Sequence, residues 1–222
     1  MAVNATKNAS KTLALEYYID LDGVMLNDIE PRLRKIGFTE FESSAGERLA
    51  PLLRTAGEGF VYASRKMAPL FALFRKNLLE DYTFTPEVIE AVRKAPERAK
   101  EFEDRTGIKV DIRFYGVTSN KLRDIEKVSS ELKGIGADIQ ILSPFKHASD
   151  KWDYVKSREA RAVLINDDTD AFKNFRKEED KYGVILHYNH FAVEDFIALK
   201  LKKGLEECTL DGLEDKLFSY LG

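Results

Sequence analysis

Cysteine is nearly absent: Cys208 is the single one in 222 residues. A lone thiol closes no intramolecular disulfide, so a disulfide-stapled scaffold is excluded and nothing signals an oxidising compartment. Flanked by Glu207 and Thr209, with no cation beside it in sequence, Cys208 reads as a half-buried structural thiol. A charge excess is missing too. Lys and Arg number 35 and Asp and Glu 38, a formal charge of −3, whereas general nucleic-acid and membrane-surface binders show a clear basic excess. No apolar run approaches the roughly 20 residues that span a bilayer. The first residues lack the apolar core of a secretion signal, and Asn4-Ala5-Thr6 and Asn8-Ala9-Ser10 read as a polar start rather than as glycosylation sites. The expectation is a cytoplasmic protein without a membrane partner. Internal repeats and low-complexity segments are also lacking.

What is present suits a globular chain: 44% apolar and 33% charged residues. The run 13–19 is apolar and stops abruptly at Asp20-Leu21-Asp22-Gly23, the pattern of a buried strand entering a loop. Helical character follows over 29–107, with Met67, Leu70, Phe71 and Phe74 on one face and Thr85-Pro86 as a helix start. After Gly107 the pattern alternates. Strands are expected at 108–117, 137–142, 162–165 and 184–186, and helices at 121–133, 151–158, 171–182, 191–203 and 210–221. Alternation of this kind predicts an α/β fold, a parallel sheet covered on both faces. The sheet is drawn from 12–28 and 108–222, with 29–107 inserted after the first strand.

Four expected strands end in a small polar or acidic residue: Asp20, Thr118, Ser143 and Asp167. Open parallel sheets bind ligands at the carboxyl ends of their strands, so these residues are candidates for one crevice. Acidic residues two apart recur by chance in so acidic a chain. Asp20 and Asp22 stand out because they close the one apolar strand before the insertion. On extended chain both carboxylates point the same way. Their repulsion invites a divalent cation, and hard oxygen donors favour Mg²⁺. Asp167, Asp168 and Asp170 form a second acidic cluster after an apolar strand.

These segments resemble the signatures of the haloacid dehalogenase (HAD) superfamily of phosphatases. Tyr18-Ile19-Asp20-Leu21-Asp22-Gly23-Val24 is similar to the first signature, and Phe114 to Asn120, with Thr118 after the strand, to the second. Lys151 near a helix start matches the third. Val163 to Asp170 is similar to the fourth, in a form found in some nucleotidases, with Asn166 where the family has an acid. The resemblance implies a Rossmann-like core with a helical cap at 29–107 and a Mg²⁺-dependent phosphomonoesterase. It makes Asp20 the nucleophile, Asp22 the acid and base, and Thr118 and Lys151 the groups that hold the phosphoryl oxygens. It assigns the metal to Asp20, Asp22 and Asp167, with Asp168 or Asp170 in support. Ser143 rivals Thr118, and Lys146 and Lys156 rival Lys151. The substrate expected is a small phosphorylated metabolite, tilted toward a nucleoside monophosphate. Ser119 and Asn120, with Tyr62 and Arg65 (beside Lys66) in the cap, are the substrate-binding candidates.

Other readings stay open. Asn166 motivates a non-catalytic binding or regulatory module on the same scaffold, and a phosphotransferase is a further alternative. Asp22 counts against a dehalogenase, which usually lacks that residue. His187 and His190 read as a loop rather than a metal pair, and Trp152 as helix packing.

Overall fold

The computed structural model describes residues 12–27, 37, 56, 82–121, 123–142, 145–187 and 203–222. The elements are β1 (Thr12–Asp20), β2 (Leu26–Asn27), β3 (Thr83–Phe84), α1 (Pro86–Thr106), β4 (Lys109–Val117), α2 (Ile125–Gly134), β5 (Gln140–Ile141), α3 (Asp150–Lys156), β6 (Arg161–Asn166), β7 (Lys181–His187), β8 (Glu206–Thr209) and α4 (Leu213–Phe218). Six strands form one sheet in the order β5-β4-β1-β6-β7-β8, and every neighbouring pair is parallel. With helices on its faces, this is an α/β Rossmann-like fold. β2 and β3 form a short antiparallel pair. It brings together the chain on either side of 28–82.

The near-continuous apolar runs of β1, β6 and β7 follow from burial on both faces. Leu15, Tyr17 and Ile19 of β1 pack with Val163, Ile165, Val184 and Leu186. That face is covered by α1 (Val88, Val92), α2 (Val128, Leu132) and α4 (Leu213, Leu217). Tyr18, with Leu164 and Ile185, faces the other way onto Trp152, Val155, Phe172 and Phe175. Register pairs Tyr17 with Phe114 and Tyr18 with Tyr115, so aromatic rings stack across the β1–β4 seam on both faces, at 5.1 and 5.0 Å. Tyr17 also donates its hydroxyl hydrogen bond to the Leu217 carbonyl, tying α4 to the sheet.

Several expectations change. A helix at 171–182 does not form; a 3-10 turn, Thr169–Phe172, is followed by irregular chain and then β7. Gly183 lies inside β7. A Cβ there would come within 2.7 Å of Phe175 and Leu205 and 2.8 Å of Phe172, so the glycine admits those side chains onto the sheet. Lys121 does not open a helix. Asp124 is the N-cap of α2, its carboxylate accepting the Lys127 N–H at 2.9 Å, which leaves Lys121 and Arg123 outside the helix. Thr85 precedes Pro86 as expected, but its hydroxyl donates to the Val24 carbonyl at 2.6 Å instead of capping the helix. β8 lies where no strand is expected, because its short, half-polar run carries a weak signal.

Of the segment expected as a cap, 29–107, the residues 29–36, 38–55 and 57–81 lie outside the described ones, Tyr62, Arg65 and Lys66 among them. Its last helix, α1, packs on β4 and α4 and contributes to the core. α1 thus lies in the layer that covers the sheet. The expected helix 191–203 lies mostly outside the described residues. Among the described residues no helix is long and apolar enough to cross a membrane. Cys208 is buried on β8, where burial pushes its thiol pKa up.

Candidate active site

β1, β4 and β6 end level with one another. Asp20 pairs in register with Val117 and Ile19 with Ile165, so Asp20, Thr118 and Asp167 emerge at the same edge of the sheet. Beyond Asp20 the chain turns tightly. The Met25 N–H donates to the Asp20 carbonyl at 3.0 Å and the Leu26 N–H to the Leu21 carbonyl at 2.8 Å. Gly23 makes this turn with φ +105°, and a Cβ there would lie 2.1 Å from Asp167 Oδ2. Only glycine allows both the left-handed backbone and the Asp167 carboxylate against it.

Alternation along β1 sends Asp20 to the same face as Tyr18, the face covered by α3. There Lys151 donates from Nζ to Asp20 Oδ1 at 2.7 Å, and only 3% of Lys151 is exposed. The rival lysines lie elsewhere: Lys156 pairs with Asp153, and Lys146 is exposed. Burial pushes the Asp20 carboxyl well above the usual carboxylate range. Lys151 pulls it down, and the charges of Asp167 and Asp22 push it up again.

Asp22 points differently. Thr118 donates from Oγ1 to Asp22 Oδ2 at 2.8 Å, and the Asn120 N–H donates to the same hydroxyl at 2.9 Å. Arg123 donates to Asp22 Oδ1 from Nε at 2.8 Å and from Nη2. Sequence reasoning missed Arg123. It lies in a loop expected as helix, and no spacing rule marks it.

Asp168 serves locally: its Oδ1 accepts the Asp170 N–H at 2.9 Å, capping the 3-10 turn. Asn166 is fully buried, and its Oδ1 accepts the Asp168 N–H at 2.7 Å. Asp170 is exposed and Ser119 half-buried. Ser143 lies outside the described residues. Trp152 is buried against Phe175, with ring centroids 4.6 Å apart, as helix packing.

Among the described residues no three acidic, histidine or cysteine side chains gather into a ready-made cation site. The Asp167 carboxylate fills the space left by the missing Gly23 Cβ, and its charge acts on Asp20. Mg²⁺ is commonly held by one or two carboxylates, with water and phosphate oxygens completing its shell. That donor set fits it. The charges of Asp167 and Asp22 both push the Asp20 carboxyl up, and a cation bound there would relieve that repulsion.

No family model matches the sequence, and no curated protein matches it. Three solved structures similar in shape are a Burkholderia xenovorans LB400 protein described as haloacid dehalogenase-like, a HAD-superfamily hydrolase from Ehrlichia chaffeensis and a haloacid dehalogenase-like family hydrolase from Xanthomonas campestris. The first shares 13% identity at TM-score 0.49, over 95% of this chain and 99% of that one. The second shares 9% at 0.42, over 93% and 97%, and the third 13% at 0.43, over 95% and 96%. At these scores the shapes decide nothing about chemistry.

Proposed function

We propose that this chain is a phosphomonoesterase working through an aspartyl-phosphate, with nucleoside monophosphates as the first substrates to try. The observation that carries the reading is the buried Asp20–Lys151 pair at the carboxyl ends of the strands, with Asp167, Thr118 and Asp22 around it. Asp20 attacks phosphorus, forming a new O–P bond. The ester P–O bond breaks, and its electron pair leaves with the alcohol oxygen, which takes a proton from Asp22. Water then attacks the aspartyl-phosphate, giving its proton to Asp22 and returning Asp20 as carboxylate. Lys151 faces the negative charge gathering on the phosphoryl oxygens. Thr118 gives its one hydroxyl proton to Asp22 Oδ2 and so holds that carboxyl in place. Asp20, Asp167 and the Asp22 carbonyl would hold Mg²⁺. When bound, that ion neutralises the phosphate dianion and lowers its repulsion of Asp20.

The test is a screen of the purified chain with Mg²⁺ over 4-nitrophenyl phosphate, nucleoside monophosphates, sugar phosphates and small phosphorylated metabolites. Turnover that a chelator removes and Mg²⁺ restores is expected; inactivity across the panel contradicts the reading. The buried Asn166 in place of an acid favours a second reading, a module that binds phosphate without cleaving it. Orthovanadate binding without turnover of any ester distinguishes it. Added methanol reveals a phosphotransferase, as a methyl phosphate product.

A further inference from the structure

We propose that Arg123 is a positioning residue, which aims the Asp22 carboxylate at the leaving oxygen. The inference rests on the phosphomonoesterase reading and deepens it. A carboxylate on a turn is otherwise free to rotate about two side-chain bonds, and proton transfer demands that it stand within hydrogen-bond reach of the oxygen it serves. Here Asp22 is fixed from two sides. Thr118 holds Oδ2 at 2.8 Å. Arg123 brings two guanidinium nitrogens to Oδ1, a planar grip that a single ammonium cannot reproduce.

Arg123 is itself held. It is buried, its N–H donates to the Asn120 carbonyl at 3.3 Å, and its guanidinium lies 5.2 Å from the centre of the Tyr82 ring. The Tyr82 hydroxyl donates to Glu131 of α2 at 2.6 Å. Tyr82 leads directly into β3, whose partner β2 follows the Asp22 turn. The grip is thus built from three separate stretches of chain, which a solvated surface pair would not require. Thr118 and Arg123 both lie past the end of β4, so Asp22 is held toward that strand. That leaves the Asp22 side chain to move protons and the other two carboxylates to hold the cation.

The experiment compares kcat/KM on two esters, because this constant reports phosphoryl transfer to Asp20. A 4-nitrophenolate leaves without needing a proton; an alkoxide from a simple alkyl phosphate needs one. Arg123→Gln is expected to lose about 100-fold on the alkyl ester and less than about fivefold on 4-nitrophenyl phosphate. Arg123→Lys falls between Arg123→Gln and the wild type. Equal losses on both esters from an active wild-type protein mean a merely structural arginine and overturn the inference alone. A wild-type protein that cleaves neither ester overturns the phosphatase reading as well. A readout free of activity is a thermal-unfolding cycle. Arg123→Gln should lower the melting temperature much less in an Asp22→Asn background than in the wild type; simple addition of the two losses refutes the grip.

Discussion

Glu16 and Asp20 stand four residues apart on the same face of β1, both buried and both paired with a cation of the segment that covers it. Glu16 meets Arg158, from Nε at 3.0 Å and from Nη2 at 3.2 Å, and also accepts the Tyr18 hydroxyl at 2.6 Å. Asp20 meets Lys151 through one contact at 2.7 Å. Burial raises both carboxyls, but the outcomes are opposite. At Glu16 the hydrogen bonds from Arg158 and Tyr18 outweigh burial, and its pKa lies below the ordinary value. At Asp20 the single ammonium is opposed by Asp167 and Asp22, and the pKa is raised. One pair is saturated and fastens the far end of α3. The other is left short of positive charge at the edge where a phosphate and a cation would arrive. Two buried carboxyls on one strand, each paired with a cation, thus shift in opposite directions, and the balance of neighbours sets which; on the proposed function the first is an anchor and the second the reaction centre.

The comparison breaks first at Asp20. Asp20→Asn is expected to lose turnover on the order of 10⁴-fold while melting within a few degrees of the wild type, since it removes an undercompensated charge; steady-state kinetics and calorimetry check both halves. Next is Gly23→Ala, which places a Cβ 2.1 Å from Asp167 Oδ2 on a backbone at φ +105°. It should cost roughly 2–3 kcal/mol of stability and about 100-fold in turnover, read by denaturant unfolding and kinetics together. Glu16→Gln probes the anchor. With Arg158 37% exposed, the loss is about 2 kcal/mol of stability, and turnover of the folded protein stays within about threefold. A large kinetic loss with little destabilisation would erase the distinction between the two pairs. The smallest effect is in pH. The folded pKa of Glu16 lies below the ordinary value of a glutamate carboxyl, so its stabilisation is complete above that ordinary value and fades as pH falls through the folded pKa. The melting gap between wild type and Glu16→Gln should hold from neutral pH down to about 5 and close below it.

Much of the scaffold was legible because it repeats. β1, β4, β6 and β7 announce themselves as apolar runs, and the alternation with helices predicts a parallel sheet. Asp20, Asp22, Thr118, Lys151 and Asp167 were legible as strand-end or motif residues. The 3-10 turn at Thr169–Phe172 was not, because Phe172 and Phe175 recur at helical spacing while packing on Trp152 instead. Nor was α1 as a covering helix, since its apolar face does not say which surface it covers.

By itself the sequence determined the strands, their polar ends and the residue types that gather there, because these depend on neighbours one to four positions apart. Which carboxylate meets which cation was decided only by the tertiary structure. Lys151 is 131 positions from Asp20, and Arg123 is 101 from Asp22. Such pairings arise from strand register and from the faces on which helices land, and no local pattern encodes either.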